Sequence, residues 1–179
     1  MKATVEMAHG STAVNMFALD CKPDEAKKKY KPLRQIAKTL NFLLMYGGSA
    51  RTLFNNLKKE DAVDENGDPI TLEKATEYYD MYFTTYKGVA EFIRNQKRYA
   101  HKHGLVYTLI GRKRRLHNIN SSDFGTVAYE ERLSVNSAIQ GSGGDIMMMC
   151  QPAIERDEEL KKLNCTMRLQ VHDRLICRG

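Results

Sequence analysis

Arg34-Gln35-Ile36-Ala37-Lys38-Thr39-Leu40-Asn41-Phe42-Leu43-Leu44-Met45-Tyr46-Gly47 is the stretch on which the reading of this chain turns. On a helix each residue rotates by about 100°, so positions four apart lie nearly one above another. Arg34, Lys38, Phe42 and Tyr46 therefore share one stripe, two cations followed by two aromatic rings. The pair Gly47-Gly48 ends the run, as expected where the chain must turn out of a helix. Such a stripe can grip an anion with its N-terminal half and offer flat rings to a base with the other. A triphosphate joined to a nucleobase suits it. A solvated basic face beside core aromatics has the same spacing, so periodicity alone leaves both readings open.

The bulk properties are permissive. With 179 residues the chain is long enough for one domain with a core or for two small lobes. Its 28 Lys+Arg against 22 Asp+Glu give a formal charge of +6, a mild excess compatible with a polyanionic partner. Arg112-Lys113-Arg114-Arg115 is a dense cationic cluster, and Lys27-Lys28-Lys29 lies just ahead of the stripe. Cys21, Cys150, Cys165 and Cys177 are scattered, with no CxxC and no paired His spacing. That argues against a zinc site or disulfide framework and for a reducing interior. No apolar run approaches membrane-spanning length and the N-terminus lacks a signal-peptide core, so no membrane partner is expected.

Local patterns predict a mainly helical α+β chain. A short apolar helix is expected over 11–19, broken by Pro23 and Asp24, before Lys31-Pro32 leads into the stripe helix at 32–46. Ser49 is a candidate cap for a helix reaching Lys59. Residues 61–69 form a polar loop whose carboxylates lack the alternation and closing Glu of a calcium loop. Residues 71–103 carry one long apolar helical face, with Gly88 as a bend and its aromatics as packing. Leu105–Ile110 reads as a strand ending at Gly111 and the basic cluster. Asn118–Ser122 reads as a loop, and 129–154 as a helix weakened by Gly141, Gly143 and Gly144. Thr166–Val171 and Leu175–Cys177 read as strands of a C-terminal β-hairpin with His172-Asp173 at its turn.

A His-Asp pair alone is a weak signal, and it also fits an HD-type metal phosphohydrolase. That class needs further His and Asp ligands, which the five scattered His do not supply at telling spacings. In company with the stripe, the pair takes on a sharper meaning. Arg34, Lys38, Phe42 and Tyr46-Gly47, with Asn41 before the Phe, resemble the fingers-helix signature, motif B, of family A DNA polymerases. These are the bacterial polymerase I type enzymes and their bacteriophage relatives. Val171-His172-Asp173 resembles the family's motif C, and Thr108-Leu109-Ile110-Gly111-Arg112-Lys113-Arg114 its Thr-Leu-x-Gly-Arg-x-Arg segment. Arg132, Asn136 and Gln140-Gly141, with Asp145 beyond, match the spacing of its palm helix, and His9 resembles a His that contacts nucleotide phosphates.

The resemblance implies that 1–179 is a partial polymerase domain, roughly 9–125 fingers with an adjoining hairpin and 126–179 partial palm. It implies template-directed DNA synthesis from dNTPs on primer–template DNA, in replication or repair, in the cytoplasm of a bacterium or phage-infected host. His9, Arg34 and Lys38 would hold the β- and γ-phosphates, and Lys38 would protonate the departing pyrophosphate. Phe42 would pack on the sugar and base, Tyr46 would sit by the templating position, and a Phe at 42 implies discrimination against dideoxynucleotides. Arg132, Asn136, Gln140 and His172 would follow the minor groove, whose acceptors every base pair presents. Asp173 would bind Mg2+.

Three departures limit that expectation. Arg174 stands where the family has an acid after the Asp, and a cation there opposes metal binding. The family's other metal-binding Asp lies in motif A, upstream of the position matched by His9, and the eight residues before His9 hold no such motif. The sequence ends at Gly179, just past the hairpin, where family members continue the palm. The two-metal site is therefore expected to be incomplete. Either a second polypeptide carrying motif A and the thumb completes a split enzyme, or the chain is an inactive truncated fragment that only binds nucleic acid.

Overall fold

The computed structural model describes residues 2–171 and 174–178, and for residues 2–6 and 45 the backbone alone. Among the described residues it is mainly helical, as the sequence patterns predict, with two two-stranded antiparallel sheets, of which those patterns predict the C-terminal hairpin. Two compact units form, Met1–Lys97 and Arg98–Gly179.

The first unit is built from α1 (Lys2–Phe17), α2 (Ala26–Lys29), α3 (Lys31–Met45), α4 (Ala50–Lys59) and α5 (Leu72–Thr85). Its organising element is α3, which packs on both α1 and α4, while α4 also packs on α5. Leu33, Ile36, Leu40, Leu43 and Leu44 recur at three- and four-residue steps and are buried against Met16, Leu53, Leu57, Tyr78 and Tyr82. Each such side chain contributes about 1.5–3 kcal/mol when taken out of water. Pro32 in the first turn fits the helix start, where a missing N–H costs nothing. The helix ends in a Schellman motif. Gly47 takes φ 65°, its N–H donates to the Leu44 carbonyl at 3.0 Å, and the Gly48 N–H donates to the Leu43 carbonyl at 3.0 Å. Ser49 caps α4 by accepting from the Thr52 N–H at 3.3 Å.

Two expectations about helices need correction. The first helix starts nearer the N-terminus than residue 11, at Lys2. The single helix predicted over 71–103 is two, α5 and α6 (Lys87–His103), broken at Tyr86 rather than bent at Gly88. The break is local. Thr84 and Thr85 turn their hydroxyls back to the carbonyls of Asp80 and Met81 just before it. Tyr86 then leaves helical geometry at φ −114°, ψ 64°. Its hydroxyl accepts from Asn15 Nδ2 at 3.2 Å.

The second unit holds β1 (Leu105–Tyr107), β2 (Lys113–Arg115), α7 (Phe124–Arg156), α8 (Glu158–Lys162), β3 (Thr166–Val171) and β4 (Arg174–Arg178). Val106, Leu116, Ile119 and Ala100 form a small core, with Leu133 of α7 packed on it. The strand expected over 105–110 stops at Tyr107, because Thr108 and Gly111 close a turn: the Gly111 N–H donates to the Thr108 carbonyl at 3.0 Å with Gly111 at φ 88°. The basic cluster is itself a strand, with Lys113 paired to Tyr107 and Arg115 to Leu105. Helix α7 starts five residues earlier than Tyr129, capped by Asp123, and runs unbroken through Gly141, Gly143 and Gly144. β3 and β4 pair from Thr166↔Arg178 to Val171↔Arg174, the predicted terminal hairpin. His172 and Asp173, which join them, lie outside the described residues.

Candidate functional site

In the first unit the stripe survives as one face of α3. Arg34 and Lys38 are half-buried, Phe42 and Tyr46 exposed, while the opposite face supplies the core. Lys38, Phe42 and Tyr46 line a single cavity of about 450 Å³, whose far wall is Thr52, Asn56 and Glu60. His9, on α1, is carried to the same face. Its ring centroid lies 5.3 Å from that of Phe42, tilted by 51°.

Asn41 sets the orientation of His9, a role that spacing alone does not reveal. Asn41 Nδ2 lies 3.1 Å from His9 Nδ1 and donates to Thr12 Oγ1 at 2.9 Å. Asn41 Oδ1 accepts from the Tyr82 hydroxyl at 3.2 Å. With Nδ1 accepting, the neutral imidazole carries its proton on Nε2. His9 and Thr12 are buried, so each hydrogen bond here replaces lost contact with water. Thr12 and Tyr82 thus join the site as supports. Their only sequence signal is polar atoms on otherwise apolar helix faces.

In the second unit Arg132, Asn136 and Gln140 rise along α7 at four-residue steps. Asn136 and Gln140 line a cavity of about 270 Å³ together with Arg112, Lys113 and Arg114 of the β1–β2 hairpin. Asn136 Oδ1 is buried in it and accepts no hydrogen bond among the described residues. A concave surface with fixed cations on one wall and amides on another suits a polyanion that also presents donors and acceptors. Arg132 is exposed and lies with its guanidinium carbon 6.0 Å from the Tyr129 ring centroid. Asp145 is fully buried and takes a hydrogen bond from Arg112 Nε at 2.5 Å. The Thr108 hydroxyl and then the Arg112 guanidinium hold its carboxyl below the usual carboxylate range.

Among the described residues no three His, Cys, Asp or Glu side chains gather as a metal site. The buried carboxylate of Asp145 is committed to Arg112. These donors do not fit a resident metal ion, and Asp173 with His172 lies outside the described residues. Among the described residues no helix is long and apolar enough to cross a membrane.

A sequence model of DNA polymerase family A matches residues 6–178. The DNA polymerase of Escherichia phage T5 is 30% identical over 177 residues, a match covering 94% of this chain and 20% of the phage protein. DNA polymerase I of Deinococcus radiodurans is 33% identical over 168 residues, covering 94% of this chain and 16% of that protein. Among solved structures, the POL domain of Pol1 from M. smegmatis, in complex with DNA primer-template and dNTP, matches with a TM-score of 0.76 at 30% identity. That match covers 93% of this chain and 27% of the other. The chain thus spans about a fifth or less of the length of these curated relatives, and on the strength of a match running nearly its whole length it belongs to the family A DNA polymerases.

Proposed function

We propose that this chain carries the nucleotide-holding helix and the primer–template face of a DNA polymerase that transfers a nucleotidyl group from a dNTP to a primer 3′-OH in replication or repair. The observation that carries the reading is His9 of α1 held against Phe42, on the face of α3 that also bears Arg34, Lys38 and Tyr46. In it, His9, Arg34 and Lys38 hold the β- and γ-phosphates. The primer oxygen displaces pyrophosphate from the α-phosphorus, and Lys38 gives the leaving group its proton. Phe42 packs on sugar and base, and Tyr46 stands beside the templating position. Residues 9–125 act as fingers with their hairpin and 126–179 as part of the palm.

Arg132, Asn136, Gln140 and His172 contact the primer–template. Mg2+ would be the cofactor of the assembled centre, where Asp173 would give one carboxylate and residues beyond these 179 the other. Those residues belong to the same polypeptide or to a partner that carries motif A and the thumb. The cytoplasm is the compartment that supplies dNTPs and template. Arg174, exposed at the start of β4 directly after Asp173, favours a second reading in which the chain only binds nucleic acid.

Primer extension decides between them. The 179-residue chain is mixed with a polypeptide carrying motif A and the thumb, with Mg2+, primer–template and four dNTPs. Extension that depends on both components and is lost in Lys38→Ala supports synthesis. Duplex binding without extension under any complementation supports the binding-only reading.

A further inference from the structure

The turn between β1 and β2 is fastened to the middle of α7 through one buried carboxylate. Asp145 Oδ1 accepts from Arg112 Nε at 2.5 Å, and Arg112 Nη2 donates to the Gly141 carbonyl at 3.2 Å. The Leu109 N–H donates to Ser142 Oγ at 2.8 Å, adding a second point of attachment. The approach is close: a Cβ on Gly141 would stand 2.8 Å from Thr108 Cγ2. Only glycine lets the helix pass the turn at that distance. An ion pair with its carboxylate buried is a poor source of stability, because desolvation of that carboxylate offsets much of the attraction. What it does supply is fixed geometry. The guanidinium fork bonds in two directions at once, which a flexible single donor does not.

The same residues border the cavity that separates the α7 amides from the cationic strand. Thr108, Arg112 and Gly141 form part of its wall, Asn136 and Gln140 another part, and Lys113 and Arg114 the rest. The width of that cavity is therefore set where Arg112 meets Asp145. We propose that Asp145 is a positioning residue: by holding Arg112 against α7, it fixes the spacing between the Asn136 and Gln140 amides and β2, so that both engage one duplex together. This rests on the nucleic-acid reading above. Asp145 itself is fully buried and acts through Arg112. Its carboxyl is held below the usual range by Thr108 and Arg112, so it is charged at neutral pH.

The test compares the full chain, Asp145→Asn and Arg112→Lys for binding two primer–templates by fluorescence anisotropy. One is natural, and the other carries 3-deazapurines, which lack the minor-groove N3 acceptor. The unsubstituted chain should lose about three- to tenfold in affinity per acceptor removed that an amide contacts. In Asp145→Asn and Arg112→Lys that ratio should collapse toward one. Arg112→Lys keeps the charge, so its salt dependence should stay the same. Its half-exposed side chain also makes it the deciding variant should Asp145→Asn fail to fold. A purely structural contact would weaken both duplexes equally and leave the ratio intact, which overturns the proposal while sparing the nucleic-acid reading. An unsubstituted chain that binds both duplexes alike removes that reading and this role together.

Discussion

Asn41 Nδ2 stands 3.1 Å from His9 Nδ1, and this contact ties α3 to α1. The Asn is one residue off the stripe and turned toward Thr12 and Tyr82, so it organises the site from behind. Asn41→Ala removes one contact each from the His9 ring, the Thr12 hydroxyl (which keeps its bond to the Ala8 carbonyl) and the Tyr82 hydroxyl in a mostly buried setting. The expected loss is about 1–3 kcal/mol, read as a lower urea midpoint at unchanged slope. A change below about 0.5 kcal/mol would mean that water replaces Asn41 without cost.

Acid should weaken the first unit through Glu65. The Lys74 ammonium at 2.8 Å and then the Tyr78 hydroxyl hold its carboxyl at about 2, down from an ordinary 4.5. A folded value below the unfolded one means stability is present above pH 4.5 and drains away as pH falls toward 2. Glu65 is partly exposed, so solvent screening keeps the effect modest. Urea titrations from pH 6 downward should show a steeper decline in the parent chain than in Glu65→Gln. Parallel declines would exclude Glu65 as the source.

Gly47 is the C′ residue of the Schellman motif at φ 65°. A side chain there meets the steric penalty of the left-handed region, so Gly47→Ala should cost about 1–2 kcal/mol. Because Tyr46 precedes it directly, the same variant should loosen that ring, seen as a Tyr46 side-chain resonance that broadens. An unshifted melting point would show that α3 ends some other way in solution.

The α3 face was legible because burial and chemistry follow the same 3.6-residue period on one helix. Leu33, Ile36, Leu40, Leu43 and Leu44 point inward, and Arg34, Lys38, Phe42 and Tyr46 do not. The break at Tyr86 was not, because what marks it is the backward bonding of Thr84 and Thr85 and a contact with Asn15 of a distant helix. Lys113–Arg115 hid as a strand for a similar reason. Three exposed cations show no alternation, and only their pairing with Leu105–Tyr107 makes them β structure. The Arg112–Asp145 contact joins residues 33 apart, a distance no local pattern reports. Resemblance suggested a ligand for the stripe, but it did not show what holds His9 and Arg112 in place.

Duplex binding should be governed by phosphate contacts and therefore by salt, with little sequence preference. Arg132 is exposed on the α7 face below Asn136 and Gln140. Arg132→Ala should weaken primer–template binding by about 1–3 kcal/mol across unrelated sequences. Affinity indifferent to salt from about 50 to 200 mM would contradict the polyanion reading altogether.

Catalysis gives the sharpest test of the stripe. In a complemented enzyme, Lys38→Ala should abolish extension by removing a phosphate ligand and the proton donor for pyrophosphate. Asp173→Ala should abolish it by removing the carboxylate proposed for Mg2+. Arg174→Glu replaces a cation beside that carboxylate with an anion, so it should raise activity or lower the Mg2+ needed for half-maximal rate. Phe42→Tyr adds a hydroxyl where Phe42 is exposed beside His9. Incorporation of dideoxynucleotides should then rise relative to the natural ones, with dNTP use little changed. The ratio of chain termination to extension, measured in one reaction with both nucleotides present, reports this directly. An unaltered ratio would place the sugar somewhere other than on Phe42, and the reading of the whole stripe would have to be redrawn from Lys38 outward.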